Sequence, residues 1–419
     1  MRHPIRQLQS AFFVAFLLAS GISAQTPLTW KQVQAKFQAA NPTLLAGQIG
    51  IEESKASEIT AFLRPNPQVT ATVDQLDPFT TNPYRPLGLA LPLVSFSYLH
   101  ERQHKRELRL ESAQKATGIA ASLQTDLERT LLFSLRTAFV QVLQAKQVLT
   151  LAKDNLDYFD RELTVSRSRF NAGDIAHVDL DRLELQRVQY ESDFETANVN
   201  LRSAKIVLLT LLNDRTPLEQ FDVSGSFESG NRLEPLDAFH TVALESRPDL
   251  KAAVQTIEKA RTDYKLAVAN GSVDPSFGVD FARNPPIALY FGLSVNIPLR
   301  IFDKNQGEKE RTRLDVSRAE RLHDASVSQV FSDVDSAYVA LVSASNLLRA
   351  YKEKYLETST RVRDTVSYSY LHGAAALVDF LDAQRDYRAV QLAYLNLTGT
   401  YLTAVGQLNL AVGREAIDY

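Results

Sequence analysis

No cysteine occurs in the 419 residues, and the single methionine is the first residue. Disulfides, a lipidated N-terminal cysteine and a relay of soft metals through sulfur ligands are therefore excluded. No stretch reaches about 18 consecutive apolar residues, so the sequence offers no transmembrane helix. Neither sign of charge dominates. The 46 Lys and Arg against 49 Asp and Glu give −3 at neutral pH with no basic patch, which argues against nucleic acid as a partner. Catalytic constellations are missing too. Beyond His3, the histidines are His100, His104, His177, His240, His323 and His372, and none joins carboxylates at metalloenzyme spacing. His100 and His104, four apart around Glu101, have the spacing of a zinc-binding pair and equally that of a solvated helix face. No enzyme activity, metal site or cofactor is expected.

What is present begins with an export signal over residues 1–24. Arg2 and Arg6 give a basic start, Ala11 to Ala19 a short apolar run, and Ser23-Ala24 a small-residue cleavage site before Gln25. An exported chain without a membrane helix is periplasmic, secreted or an outer-membrane protein.

Two stretches 200 residues apart share one pattern, aromatic-x-x-Gly-x-x-x-x-Val-Asp: Phe170 to Asp179 with Gly173, and Tyr370 to Asp379 with Gly373. Each interrupts a long helical stretch. The glycine reads as the left-handed residue that ends one helix, and the aspartate falls in the opening turn of the next, where negative charge is favoured. Asn41-Pro42 matches Arg247-Pro248, and Leu91-Pro92-Leu93 matches Ile297-Pro298-Leu299, both at an offset of 206. Landmarks in one order indicate a unit of about 200 residues used twice. The expected repeats are 25–220, with strands at about 66–75 and 86–97 and a helical hairpin at about 100–213, and 221–419, with strands at about 274–283 and 288–298 and a hairpin at about 307–413.

The strands alternate. Leu289, Phe291, Leu293, Val295 and Ile297 share one face opposite Tyr290, Gly292, Ser294 and Asn296, and Leu87, Leu89, Leu91 and Leu93 repeat this more weakly. Such alternation suits a barrel in an outer membrane, or a soluble sandwich. The helices are long. From Ala113 to Leu163 an apolar residue recurs every three or four positions, and Val330, Val334, Ala337, Leu341, Ala344, Leu348, Tyr351 and Tyr355 do the same. These are coiled-coil seams. Between Gln103 and Asn171 there is no proline and only Gly118, which allows roughly 100 Å of helix, a rod rather than the inside of a compact domain.

Four strands cannot close a barrel, and open edges are not tolerated in lipid. Closure demands several chains. Three would supply twelve strands and a ring of helices, so the expected fold is mainly α with a small membrane β-barrel. Its unit is a duplicated helix-strand-strand-helix-helix run with long coiled-coil hairpins, and a homotrimer forms both a 12-stranded barrel and an α-helical barrel.

The duplicated order, the two tip motifs and Val378-Asp-Phe-Leu-Asp-Ala-Gln-Arg385 resemble the outer membrane efflux proteins, the trimeric exit ducts of tripartite pumps, across the mature chain. Ile297-Pro-Leu-Arg-Ile-Phe302-Asp303-Lys-Asn-Gln306-Gly307 is similar to the heavy-metal branch of that family. The resemblance implies an outer-membrane location with a long periplasmic helical portion. It also implies contact with outer-membrane lipid, a periplasmic adaptor protein and an inner-membrane RND-type pump. Asp379 and Asp382, three apart on one helix face, would line the lumen and select cations; the same spacing is also an ordinary helix N-terminal charge pair. Asp179 and Tyr370 match the positions that link neighbouring hairpins in a closed tip. A family arginine that joins this link is replaced by Ala375. Gly173 and Gly373 would shape the loops that meet the adaptor. Cargo could instead be organic drugs or a secreted polypeptide. Outside this family, the remaining reading is a periplasmic coiled-coil adaptor or scaffold.

Overall fold

A computed structural model describes residues 26–79, 82–228, 230, 234–284 and 286–417; the expected export signal lies outside them. The elements run α1 (Trp30–Ala40), α2 (Pro42–Phe62), β1 (Gln68–Asp74), β2 (Leu91–Leu99), α3 (Lys105–Ala172) and α4 (His177–Leu211). The order then repeats as α5 (Leu236–Ser246), α6 (Pro248–Asn270), β3 (Ser276–Asn284), β4 (Ile287–Asn296), α7 (Gln306–Ala350), α8 (Leu356–Leu371) and α9 (Leu377–Val412). The protein is mainly helical with one small antiparallel sheet.

Local chemistry sets the boundaries. The Asn41 side chain accepts the Thr43 and Leu44 N–H groups at 3.0 and 3.1 Å, capping α2, whose first residue Pro42 has no N–H to satisfy. Its amide also donates to the Leu211 carbonyl at 2.9 Å, tying the start of α2 to the end of α4. At the corresponding place in the second run, Arg247 caps nothing with its side chain and pairs instead with Asp249 and Asp333. α3 is a single helix of 68 residues, roughly 100 Å at 1.5 Å per residue. Its seam is buried at Leu135, Ala138, Val142, Ala152, Phe159 and Leu163, while Leu123, also in the expected seam, is exposed.

The second rod differs. A π turn over Tyr351–Tyr355 separates α7 from α8. The seam is buried from Val330 to Leu348 and then stops, leaving Tyr351 half-buried and Tyr355 exposed, contrary to expectation. One i→i+5 turn rotates every later side chain away from the α-helical phase.

All four strands form one sheet in the order β1-β2-β3-β4, each pair antiparallel, so strands from both runs share it and β1 and β4 are its edges. The register aligns Val69 with Phe96, Phe96 with Val279 and Val279 with Leu293; it likewise aligns Ala71 with Val94, Val94 with Phe281 and Phe281 with Phe291. Partners directly opposite lie on the same face, so this face is apolar across the sheet, yet it is open: Leu293 is 76% and Val69 71% exposed. The other face carries Thr70, Thr72, Ser95, Ser97, Gly278 and Ser294.

Two expectations are corrected here. β2 begins at Leu91, not near 86, and residues 86–89 form turns, so Leu87 and Leu89 are outside the strand. Leu91 and Leu93 pair with Asp74 and Thr72 on the polar face, while Val94, Phe96 and Tyr98 carry the apolar one. A shift of one residue exchanges the faces. The Leu91-Pro-Leu93 and Ile297-Pro-Leu299 landmarks also occupy different places, the first opening β2 and the second following β4.

Where sheet and rods meet, the buried Lys105 ammonium lies 2.5 Å from Asp274 and donates to the Ser272 carbonyl at 3.0 Å. Glu101 is taken by Arg109, so it is not free to join His100 and His104. Among the described residues no cluster of three or more metal-ligating side chains occurs, and no helix is long and apolar enough to cross a membrane.

Candidate functional site at the hairpin tips

Far from the sheet, α3 turns into α4 and α8 into α9. Gly173 ends α3 at φ 86° and Gly373 follows α8 at φ 73°, both in the left-handed region, where only glycine is unstrained. The N–H of each returns to the preceding turn, Gly173 to the Phe170 carbonyl at 2.9 Å and Gly373 to the Tyr370 carbonyl at 3.1 Å. The next helices open with Asp179 and Asp379 in their first turns. The Asp379 carboxylate accepts the Ala376 N–H at 3.3 Å, so it caps its own helix end while remaining exposed.

Asp382 is exposed on the same face of α9, three residues on. Arg385 reaches back to it at 3.1 Å and to Asp386 at 3.4 Å. Asp379, Asp382 and Asp386 thus form an acidic stripe that one arginine partly balances. On α4 the matching stripe is a neutral pair, with Arg182 3.9 Å from Asp179.

Tyr370 points inward. Its ring stacks on Phe380 with centroids 4.9 Å apart, inside a core with Phe159, Leu163, Leu183 and Leu377. Among the described residues its hydroxyl has no hydrogen-bond partner, so it does not bond to Asp179 within the chain: the ring is held in the core while Asp179 stands in the half-exposed opening turn of α4. Burial raises the Tyr370 phenol, against the opposing pull of Ser166 and Arg169.

Arg169 was not foreseen. From the last turn of α3 it donates to the Tyr370 carbonyl at 2.9 Å and holds its guanidinium 5.4 Å from the Tyr370 ring, joining the hairpins where position 375 offers only alanine. Its one sequence signal is asymmetry, since the corresponding residue of the second tip is Ser369. Two further arginines also serve this junction. Arg363 lies 3.9 Å from the Tyr387 ring and 4.9 Å from Tyr158. Arg388 lies 4.3 Å from the Tyr190 ring and 2.8 Å from Asp193. Burial pushes the Tyr190 phenol up to about 12, with Arg388 opposing. The chemistry available here is charge selection by exposed carboxylates beside a dense aromatic and arginine junction; nothing in it resembles a catalytic set.

Comparison with known proteins agrees with this geometry. Residues 241–414 match the family described as outer membrane efflux protein. Across 93% of its length the chain is 22% identical to the cobalt-zinc-cadmium resistance protein CzcC of Cupriavidus metallidurans, covering 91% of that protein. It is 24% identical over 76% of its length to the pyoverdine export outer membrane protein OpmQ of Pseudomonas aeruginosa, covering 69% of it. A crystal structure of CusC shares the fold, with a TM-score of 0.76 and 16% identity over 92% of each chain.

Proposed function

We infer, from the premise that this chain is an outer membrane efflux protein, that it is the exit duct of a tripartite efflux system and exports heavy-metal cations. It is a channel of the outer membrane with a long periplasmic helical part, not an enzyme. The observation that carries the reading is the sheet: one apolar face open to the surroundings, one polar face, and two unpaired edges, set on helices roughly 100 Å long. In lipid such edges must be paired. Three chains joining β4 of one to β1 of the next would give twelve strands, with the apolar face to lipid and the polar face to water. On this reading residues 25–220 and 221–419 are the two efflux repeats. The Gly173 and Gly373 loops would meet a periplasmic adaptor, and an inner-membrane RND-type pump would drive transport.

Asp379 and Asp382 would form stacked rings in the trimer and favour cations. The likeness to a cobalt-zinc-cadmium resistance protein supports metal cargo, and the absence of thiols means the ions would pass loosely held. The likeness to a pyoverdine export protein keeps an organic solute as the second reading. An adaptor or scaffold is disfavoured because it has no use for an apolar sheet face open at both edges.

The test is conductance of the purified protein in a planar bilayer under a salt gradient. A cation preference that falls when Asp379→Ala and Asp382→Ala are combined supports the reading. Unchanged selectivity removes both residues from the lumen, and no conductance in any variant removes the channel.

A further inference from the structure

Near the tips, the seam between α3 and α8 holds three polar oxygens that make no hydrogen bond among the described residues: Glu162 Oε2, Ser166 Oγ and Tyr370 Oη. Ser166 is 1% and Tyr370 5% exposed. Glu162 and Ser166 stand one turn apart on α3, and Tyr158, a turn earlier on the same face, donates to Ser367 of α8 at 3.0 Å. Gln384 of α9 donates to that hydroxyl at 3.1 Å. The stripe is therefore a polar column between the two hairpins, complete at Tyr158 and incomplete at Glu162.

The charges packed around it are already engaged. Arg187 of α4 lies 2.6 Å from Asp160, and Asp179 pairs at 3.9 Å with Arg182. On α8, Arg363 lies between two tyrosine rings and 2.7 Å from Asp364. Arg388 of α9 holds Asp193, and Arg169 holds the Tyr370 carbonyl. Arg161 is the cation that acts on Glu162, without a salt bridge, and its guanidinium lies 5.8 Å from the Tyr158 ring.

A carboxylate with one oxygen buried and unbonded, and with no salt bridge, is expensive to keep ionised. A carboxylic acid is far cheaper to bury there. We propose that Glu162 is a proton-binding site that latches the two hairpins together, neutral while α3 and α8 are packed and ionised when they part. The inference rests on the reading of the tips as the duct's gate. Burial raises the Glu162 carboxyl, with Tyr158 and Arg161 opposing. A carboxyl raised in the packed state stabilises packing fully below its ordinary value, and that stability is lost as pH rises through the raised value. Acid therefore tightens the tip and neutral pH loosens it.

The chain has no cysteine, so Ser168→Cys and Thr365→Cys, at exposed positions on α3 and α8, can be spin-labelled without background. Trimers diluted with unlabelled wild-type chains report the distance across one seam. The expected result is a separated population that grows with pH, by up to about tenfold per pH unit for one proton. The shape-conserving Glu162→Gln should keep the short distance at every pH. A wild-type distance indifferent to pH, or a Glu162→Gln profile equal to wild type, overturns the latch. Bilayer conductance across the same pH range separates the two readings: a distance that titrates while conductance stays flat upholds the latch and overturns the gate.

Discussion

Arg247 opens α6 with a 5% exposed side chain and a guanidinium shared between Asp249 at 2.7 Å and Asp333 at 2.8 Å. It also donates to the Ala411 carbonyl at 3.2 Å, so one side chain ties the starts of α6 and the last turn of α9 to the middle of α7. Truncation to Met leaves Asp333 without a cation and Asp249 with only Arg129 at 3.9 Å, and should lower stability in denaturant unfolding by about 1–3 kcal/mol, because both carboxylates are partly exposed. Burial opposes ionisation of Asp249, but the Arg247 guanidinium outweighs it and holds the carboxyl below its usual range. The stability it contributes is present at neutral pH and lost as pH falls through the depressed value, so Arg247→Met should flatten the acid limb of the stability profile. In sequence Arg247 was legible only as a landmark before Pro248, because its two partners lie on other helices. At the tips, Gly173→Ala and Gly373→Ala meet no neighbour within 4 Å, so their whole cost is the left-handed backbone, roughly 1–2 kcal/mol each. Faster limited proteolysis at the tip, with the midpoint of global melting little changed, is the expected signature.

Among the elements, the π turn at Tyr351–Tyr355 is the one whose alteration is most informative. A π turn is an α-helix with one residue too many. Deleting Glu353 should convert it to regular helix and keep the phase on both sides, leaving the helical signal and melting midpoint near wild type. Deleting Ser343, inside the buried Val330–Leu348 seam, should lower the midpoint sharply, because it puts Ala344 and Leu348 out of phase with Val330 to Leu341; equal effects of the two deletions would contradict this account. The helices themselves were readable because apolar residues at three- and four-residue steps survive any tertiary setting. The π turn was not, since no residue type announces it. The phase of β2 was hidden for another reason. In Leu91-Pro-Leu-Val-Ser-Phe-Ser-Tyr-Leu99 both alternations contain apolar residues, and only pairing with Phe281 and Val279 decides between them. The site was legible at its loops, where glycine and aspartate have fixed roles, and illegible at Arg169, whose contact with Tyr370 spans 201 residues of chain.

For the whole molecule, the decisive surface is the open apolar face of the sheet. Leu293→Arg places a cation on that face, on edge strand β4, and should cost about 2–4 kcal/mol per chain at a bilayer midplane, against near neutrality in a water-facing sheet. Loss of the proposed trimer from outer-membrane extracts would be the positive result, and an unaffected trimer would move this face out of lipid. The same sheet dictates a timetable. β2 at residues 91–99 needs β3 at residues 276–284 beside it, with all of the first rod and α4 to α6 lying between them in the chain. As the polypeptide is delivered from its N-terminus, the first hairpin can wind from neighbouring contacts within microseconds, whereas β1 and β2 wait as a two-stranded ribbon that water barely supports. The slow step is then the late meeting of distant strands, and the newborn chain carries its stickiest surface uncovered until that moment. A surface left open that long favours an escort until the strands meet.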